Sequence, residues 1–294
     1  MAGKRKIFGT GLSGLVGSRF TELLADNFES VNLDLATGVD ITDYKAVNQA
    51  LNQAASTVVH LAAFTDVSKA FVETGNKDGL VYQINVLGTR NIAAACKKFG
   101  HYLIHISTDF VFDGQKQEPY TEADQPQPIE WYGQTKLLAE TEVVQSGCRS
   151  VIIRIAFPFR ANFAAKQDLV RKILTQLKSG SLPPMFSDQI ITPTFIDDLC
   201  QALKLFINHQ PGGIYHVVGS TWLSPYDLAQ KIAAVFKLKA EIKPGSFKEF
   251  LKTDPRPRQK YLKISNTKLF RDFGYKMKTI DEALVILKDQ GVGV

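Results

Sequence analysis

The sequence has few of the residues that build disulfide frameworks or metal sites. Its 294 residues include three cysteines, Cys96, Cys148 and Cys200, and no two of them form a C-x-x-C pair. Isolated cysteines argue against a disulfide scaffold and a zinc site, and they are typical of a protein in a reducing cytosol. We therefore expect no metal site and a cytoplasmic protein.

Long apolar runs and long basic runs are also missing. No apolar stretch approaches the roughly 18 residues that a membrane-spanning helix needs, and no secretory signal pattern is present. The net charge is +6, but the lysines and arginines are scattered along the chain. Such a distribution favours attraction of a phosphorylated small molecule over a nucleic-acid-binding stripe. We expect neither a membrane nor a nucleic acid as partner.

The sequence does contain short apolar runs that alternate with helical apolar spacing. Strands are predicted at 6–10, 31–35, 57–62, 102–107 and 151–156, followed by a helix at 195–207 and a strand at 214–218. This alternation indicates βαβ units, so the predicted fold class is α/β, a Rossmann-type doubly wound parallel sheet with a smaller C-terminal lobe. The predicted dinucleotide-binding domain comprises residues 1–156 plus about 187–222. The smaller lobe comprises about 157–186 plus 223–294.

Two glycine motifs overlap after the first predicted strand. Gly9, Gly11 and Gly14 spell G-x-G-x-x-G, whereas Gly11, Gly14 and Gly17 spell G-x-x-G-x-x-G. Either motif lets the backbone approach a pyrophosphate at a helix N-terminus. The helical spacing that begins at Val16 places Gly14 in the first turn and Gly17 one turn later, facing the sheet. We prefer the second frame because it gives all three glycines a role.

Asp34 follows in "VNLDL" at the end of the second predicted strand. A carboxylate at this place can bind the ribose hydroxyls of the adenosine, although it could also simply cap a turn. No basic residue follows before Lys45, so nothing obvious neutralises a 2′-phosphate. NAD(H) is therefore favoured, with NADP(H) possible. Asp40 and Ile41 then suit an adenine contact.

Tyr132 and Lys136 are four residues apart in "WYGQTKLLAE", so both project from one face of a predicted helix. Reducing a ketone requires a hydride and a proton delivered to the oxygen. A nearby ammonium can lower the pKa of a tyrosine, so we expect Lys136 to lower that of Tyr132 and to bind the nicotinamide ribose. Thr108, after a central strand, would donate a hydrogen bond to the carbonyl oxygen.

These stretches together resemble the extended short-chain dehydrogenase/reductases, and within them the branch that reduces dTDP-4-dehydrorhamnose. The resemblance is carried by "GTGLSGLVG", "HLAAFTDVSKA", "INVLGTRNI", "STDFVFDG", "PYTEADQPQPIEWYGQTKLLAE", "SDQIITPTFIDDL" and "GIYHVVG". It implies a Rossmann domain with a small nucleotide-sugar-binding lobe. It also implies NAD(P)H-dependent reduction of a nucleotide-linked 4-keto-6-deoxy sugar, most simply dTDP-4-dehydrorhamnose to dTDP-rhamnose.

The resemblance assigns roles to individual residues. The implied catalytic residues are Thr108, Tyr132 and Lys136. The implied cofactor-binding residues are Gly11, Gly14, Leu15, Gly17, Asp34, Asp40, Ile41, Leu61, Ala62, Ala63 and Lys136. The implied substrate-binding residues are Thr65, Asp66, Asp109, Phe157 and Arg256, the last of which would bind the diphosphate.

Three positions on the substrate side depart from the branch. Phe157 stands where a tryptophan is usual, Ile191 replaces a glycine in "DQIITPT", and Phe71 replaces an acidic residue. Redox chemistry is therefore better supported than rhamnose as the product.

Other functions remain open. One is an NAD-dependent nucleotide-sugar epimerase or dehydratase, although Asp109 is followed by Phe110 and not by the second acidic residue that dehydratases use. Another is a non-catalytic regulatory subunit, which the intact Thr-Tyr-Lys set argues against. The protein is expected to be a monomer or a homodimer.

Overall fold

Strands and helices alternate along the chain in this computed structural model, which describes residues 4–292. The strands are β1 (Arg5–Thr10), β2 (Phe28–Asn32), β3 (Thr57–His60), β4 (Tyr102–Thr108), β5 (Ser150–Ile155), β6 (Pro158–Phe159), β7 (Met185–Phe186), β8 (Thr194–Phe195), β9 (Gly213–His216) and β10 (Pro244–Gly245). The helices are α1 (Leu15–Leu24), α2 (Tyr44–Leu51), α3 (Val67–Val72), α4 (Leu80–Tyr82), α5 (Thr89–Phe99), α6 (Trp131–Ser146), α7 (Leu169–Ser179), α8 (Ile196–His209), α9 (Pro225–Val235), α10 (Phe247–Phe250), α11 (Thr267–Phe273) and α12 (Ile280–Asp289).

The central sheet has six parallel strands in the order β2-β1-β3-β4-β5-β9. The order reverses between β1 and β3, because the chain passes from β1 outward to β2 and then returns to the other side. In such a sheet, ligands bind outside the carboxyl ends of the strands at the reversal point. The predicted Rossmann-type fold class is confirmed.

The chain divides into two compact units. The first runs from the described start of the chain to Phe112 and also includes Gln125–Arg154 and Cys200–Tyr215. Its core packs apolar residues of the sheet against the helices, for example Phe8, Val58 and Ile92, each at most 2% exposed. Burying these side chains is the main stabilising contribution to this unit.

The second unit comprises Asp113–Asp124, Ile155–Leu199 and the chain from His216 onward. It contains two short parallel pairs, β6 with β8 and β7 with β10. Its own core includes Ile173, Leu228 and Leu284 from three helices. Compactness does not assign a function to either unit, so the domain roles stay a prediction.

Element boundaries differ from the predicted ones mainly at β2. The sequence predicted a strand at 31–35, but β2 ends at Asn32 and a short 3₁₀ turn occupies Leu35–Thr37. Asp34 caps this turn, because its backbone N–H donates to the hydroxyl of Thr37. The strand cannot continue through a capped turn. Within residues 4–292, no helix combines the length and the apolar character that a membrane crossing requires.

Candidate active site

The loop between β1 and α1 is packed so tightly that two of its glycines cannot carry a side chain. Gly11 has φ +71°, and a Cβ there would lie 2.6 Å from the backbone nitrogen of Ala62. A Cβ on Gly17 would lie 2.3 Å from the carbonyl oxygen of Gly11. At Gly9 the added atom would meet only the side chain of Leu12. The structure therefore favours the G-x-x-G-x-x-G frame.

Two details of this loop were predicted wrongly. Gly14 is the N-cap of α1 and does not lie in its first turn. Gly17 lies in that first turn and packs against the loop backbone at Gly11, whereas the sequence predicted that it would face the sheet. The first error arises because apolar periodicity locates the buried face of a helix but not its first residue. The second arises because this periodicity does not describe the path of the preceding loop.

The N-terminus of α1 fits a dinucleotide pyrophosphate. Gly14 has no side chain to cap the helix, so the backbone N–H groups from Leu15 onward are available to an anion. Leu61, Ala62 and the adjoining Ala63 follow β3, and the N–H of Leu61 donates to the carbonyl oxygen of Thr10 at 3.0 Å. The β1–α1 loop and the segment that follows β3 thus form one continuous backbone surface at the carboxyl edge of the sheet.

Asp34 lies against the same loop. Its carboxylate accepts hydrogen bonds from the backbone N–H groups of Gly11, Leu12 at 3.2 Å and Ser13 at 2.9 Å. Asn32 donates to the hydroxyl of Ser13 at 3.3 Å. These bonds fix a negative charge beside the loop, at the place where the sequence argument put the adenosine ribose.

The predicted adenine contacts have other roles within the protein. The Asp40 carboxylate accepts from the backbone N–H and the hydroxyl of Thr42, both at 2.8 Å. Ile41 is buried in the core of the first unit, and its carbonyl accepts from Asn91 at 2.9 Å. Their contact with an adenine stays a prediction.

Thr108, Tyr132 and Lys136 come together around the carboxyl end of β4. Thr108 ends the strand, and its side chain is close enough to that of Tyr132, in the first turn of α6, to influence the pKa of the phenol. The Phe110 ring meets that of Tyr132 edge to face, with centroids 5.8 Å apart. One turn further along α6, Lys136 is buried and donates from Nζ to the carbonyl oxygen of Ile106 at 2.7 Å.

The electrostatics of this group overturn one expectation. Burial raises the pKa of Tyr132 above its ordinary value, although the neighbouring Thr108 side chain opposes the change. Burial lowers the pKa of Lys136 to about 8, with Glu140 acting against it. The expected lowering of the Tyr132 pKa is therefore wrong, because the effect of burial is larger than that of the surrounding groups. The phenolate would lose its hydration, and the ammonium is directed at Ile106.

Two carboxyl groups flank the tyrosine. Asp109 is buried, accepts from the Thr108 hydroxyl at 3.1 Å, and has no hydrogen-bond partner for Oδ2 among the described residues. Glu130 caps α6 by accepting from the N–H groups of Tyr132 at 2.8 Å and Gly133 at 2.6 Å. Burial raises the pKa of each carboxyl to about 7. The sequence argument missed Glu130, although its place just before a helix is a recognisable N-cap signal.

Asn85 was also missed. It lies in a single π-helical turn (Gln83–Gly88), and its fully buried amide binds both backbone groups of Phe64 at 2.8 and 3.2 Å. The same amide donates to Thr135 at 3.0 Å, and Thr135 donates to the carbonyl oxygen of Tyr132 at 2.9 Å. Asn85 therefore ties the β3 loop to α6. Asn85 and Thr135 are 50 positions apart in the sequence, and no local sequence pattern indicates a contact at that separation.

The predicted sugar-side residues of the first unit border this β3 loop. Thr65 and Asp66 are exposed, and Asp66 caps α3 by accepting from the backbone N–H of Lys69 at 3.0 Å.

A buried ion pair holds α6 against the sheet. Arg154 of β5 donates to both carboxylate oxygens of Glu140, at 2.9 and 2.7 Å. Ser107 donates to the same carboxylate at 2.5 Å. Since a buried charge without its partner is strongly destabilising, this pair fixes the register of α6 against β4 and β5.

The sequence and fold match one family of known proteins. Residues 5–290 match the family described as the RmlD substrate binding domain. The dTDP-4-dehydrorhamnose reductase of Aggregatibacter actinomycetemcomitans is 30% identical over 229 residues, which is 75% of each chain. The chain belongs to this family. Its resemblance to the extended short-chain dehydrogenase/reductases is thereby confirmed, and it is a nicotinamide-dependent oxidoreductase of that type.

Other relatives cover nearly the whole chain. The probable low-salt glycan biosynthesis reductase Agl14 of Haloferax volcanii is 28% identical over 296 residues, 96% of each chain. The solved structure of dTDP-4-dehydrorhamnose reductase from Bacillus anthracis in complex with NADP is 28% identical, with a TM-score of 0.89, and the match covers 98% of this chain and 100% of that one. The RmlD family fold thus extends through both compact units.

Two predicted substrate residues of this RmlD family member lie in the second unit. Phe157 has a φ of +40°, a strained conformation for a bulky side chain, and packs against that unit's core. Arg256 donates from Nε and Nη2 to the carboxylate of Asp254, both at 3.0 Å. Arg258 donates to the same carboxylate at 2.7 Å, so two guanidinium groups share one carboxylate.

Proposed function

We propose that the chain catalyses NAD(P)H-dependent reduction of a nucleotide-linked 4-keto-6-deoxy sugar, most simply dTDP-4-dehydrorhamnose to dTDP-rhamnose. The observation that carries this proposal is that the side chains of Thr108 and Tyr132 are neighbours at the carboxyl edge of the sheet, in a chain whose named relatives are reductases. The same edge holds the glycine loop and the free N-terminus of α1.

The cofactor, when bound, supplies the hydride. Tyr132 donates its phenolic proton to the carbonyl oxygen of the substrate, and its raised pKa keeps that proton in place at neutral pH. Thr108 orients the tyrosine and donates to the same oxygen. Lys136, charged below its pKa of about 8, stabilises negative charge that develops on the phenol during the transfer.

We propose that NAD(H) is preferred over NADP(H). The loop N–H groups hold the Asp34 carboxylate where an adenosine ribose would lie, and a fixed carboxylate repels a 2′-phosphate. The solved dTDP-4-dehydrorhamnose reductase of Bacillus anthracis is in complex with NADP, so we propose this preference for the present chain and not for the family. Tighter binding of NADH than NADPH, lost in Asp34→Ala, is the expected titration result. Tighter NADPH binding by the unaltered protein would overturn the preference.

We also propose a role for each unit. The first binds the cofactor and carries the chemistry, with Thr65, Asp66 and Asp109 near the sugar. The smaller C-terminal lobe binds the nucleotide through Phe157 and Arg256. The shared Asp254 carboxylate supports this role, because it holds two guanidinium groups in fixed positions suited to a diphosphate.

The function is tested by following oxidation of NADH and of NADPH with dTDP-, UDP- and GDP-linked 4-keto sugars. We expect one equivalent of cofactor to be consumed for each sugar reduced, fastest with a dTDP-linked substrate. Sugar conversion without net cofactor consumption would show an epimerase or a dehydratase instead. No turnover with any sugar would favour a regulatory subunit.

A further inference from the structure

A cavity lies within the first unit, away from the candidate active site. It measures about 500 Å³. Its walls are formed by the start of β1 and by the turns that lead into β3, β4, β5 and β9. The lining residues are Arg5, Lys6, Phe8, Gln53, Ala54, Ala55, Ser56, Gly100, Tyr102, Arg149 and Gln210.

This cavity is at the opposite edge of the sheet from the candidate active site. Tyr102 begins β4, whereas Thr108 ends it. A strand rises roughly 3.3 Å per residue, so the two edges are about 20 Å apart. A ligand in the cavity would therefore not touch the nicotinamide-binding surface, and it would form a separate site.

The cavity is strongly positive. Arg5, Lys6 and Arg149 line it, and no acidic residue does. Within residues 4–292, no carboxylate lies within ion-pair distance of any of these three cations. Three uncompensated positive charges around one concave surface favour a multiply charged anion.

The two arginines are connected through neutral groups. Arg149 donates to the side-chain oxygen of Gln210 at 2.5 Å, and Arg5 donates to the hydroxyl of Thr57 at 3.1 Å. Gln210 also donates to Thr57 at 3.5 Å, which completes the connection. Each guanidinium has five N–H donors, and this network occupies one on each arginine. The arginines are thus held in place while most of their donors remain available.

Gln210 itself points to a role for this network. It follows the last turn of α8 with φ +48°, a left-handed conformation that usually selects glycine. Its side chain, which glycine would lack, bridges Arg149 and Thr57. The residue type is therefore explained by the arrangement of the two arginines.

We propose that this cavity binds a small molecule that carries a diphosphate group. Planar guanidinium groups bind phosphate oxygens in a bidentate manner, and the volume lies in the range of small-molecule sites. The buried rings of Phe8 and Tyr102 provide an apolar floor for the rest of the ligand. The phosphate groups could belong to inorganic pyrophosphate or to a nucleotide.

The test places a reporter in the cavity. Ala54 is exposed and lines it, and the native cysteines are buried, so Ala54→Cys can be labelled selectively with an environment-sensitive fluorophore. The labelled full-length protein is titrated with pyrophosphate, ADP and adenosine. Arg149→Gln and Lys172→Gln are then added separately to this background. Lys172 is an exposed cation outside the cavity, so its variant is the charge-matched control.

We expect a saturable signal with ADP and none with adenosine. Arg149→Gln should weaken ADP binding about tenfold, the usual effect of losing hydrogen bonds from a charged group, and Lys172→Gln should leave it unchanged. A pyrophosphate response equal to that of ADP would identify phosphate alone as the ligand, whereas a weaker one would identify a nucleotide. The proposal is overturned if ADP gives no saturable signal, if adenosine binds as well as ADP, or if Arg149→Gln has no larger effect than its control. Circular dichroism establishes that each variant is folded, and none of these outcomes depends on reductase activity.

Discussion

At the residue scale, burial has opposite effects on the two ionisable groups of the Y-x-x-x-K motif. It keeps the proton on Tyr132 and makes the proton of Lys136 easier to lose. Both effects arise because a poorly hydrated site disfavours the charged form of any group. The proposed proton donor is thus protonated at neutral pH, and Lys136 is the group that loses its charge in alkali.

Tyr132→Phe removes the proposed proton donor and almost no volume. We expect kcat to fall roughly 10²- to 10⁴-fold, the usual contribution of general acid catalysis, while NADH binding and thermal stability are retained. Thr108→Val should lower kcat by a smaller factor because it removes one hydrogen bond. Steady-state kinetics at saturating NADH provides the comparison. Near-normal turnover by Tyr132→Phe would remove the tyrosine from the mechanism.

Lys136 should determine the alkaline limb of the pH profile. An amine is charged below its pKa, so activity that depends on the ammonium is present below about pH 8 and declines above it. We expect this limb in the kcat profile of the unaltered protein. Lys136→Met should have a low kcat without the limb. A decline at the same pH in the variant would assign the limb to another group.

Asp109 should make the folded state less stable as the pH rises. Its pKa is about 7 in the folded protein against an ordinary value of 3.8, so the stabilisation present at acidic pH is lost as the pH increases towards 7. Asp109→Asn should therefore be more stable than the unaltered protein at pH 8, by up to about 4 kcal/mol, and similar at pH 4. Urea unfolding at both pH values measures the difference. Asp78→Asn, at an exposed position, is the control, and a pH-independent effect of Asp109→Asn would contradict the explanation.

At the element scale, the β1–α1 loop is held by its own backbone atoms and by one carboxylate. The carbonyl oxygen of Gly11 occupies the space that a side chain on Gly17 would need, and the Asp34 carboxylate binds the loop N–H groups. Because backbone atoms cannot rotate away as side chains do, this loop cannot easily accept a side chain at Gly11 or Gly17.

The two overlapping glycine motifs can be separated by matched substitutions. Gly17→Ala places a methyl group 2.3 Å from a backbone oxygen, whereas Gly9→Ala meets only the side chain of Leu12. We expect Gly17→Ala to lose about 1–3 kcal/mol of unfolding free energy and to bind NADH more weakly. Gly9→Ala should be affected less in both measurements. The reverse order in urea unfolding and NADH titration would support the G-x-G-x-x-G frame.

At the scale of the whole molecule, the proposed function assigns a different role to each of the two units. The first holds the proton-transfer residues and the glycine loop, and the second holds the arginine pair on Asp254. Loss of a group that binds substrate and transition state equally raises KM, whereas loss of a group used only in the transition state lowers kcat. Substitutions at the proposed sites should therefore lower kcat in the first unit and raise KM in the second.

Arg256→Ala tests that division. If the guanidinium binds the diphosphate, KM for the nucleotide sugar should rise about tenfold or more with kcat little changed. Arg271→Ala, an exposed arginine of the same unit that pairs with Asp272, should change neither parameter. An unchanged KM in Arg256→Ala would show that the arginine only pairs with Asp254.

The sequence alone determined the fold class, and it predicted two members of the candidate catalytic group, Tyr132 and Lys136. Alternation of strand and helix signals is local, so it indicated the parallel sheet, and the Y-x-x-x-K spacing placed two side chains on one helical face. Motifs shared with a known family added Thr108, Asp34 and the glycine loop to the predicted site. Their roles remain predictions that the experiments above address.

Only the tertiary structure decided how these residues interact. The pKa of Tyr132 rises because elements distant in sequence exclude water from it, and burial cannot be calculated from spacing. Asn85 reaches Thr135 across 50 residues, and the basic cavity collects five separate segments at one edge of the sheet. Such contacts depend on how the strands are ordered. Local sequence signals specify each strand but do not specify its neighbours.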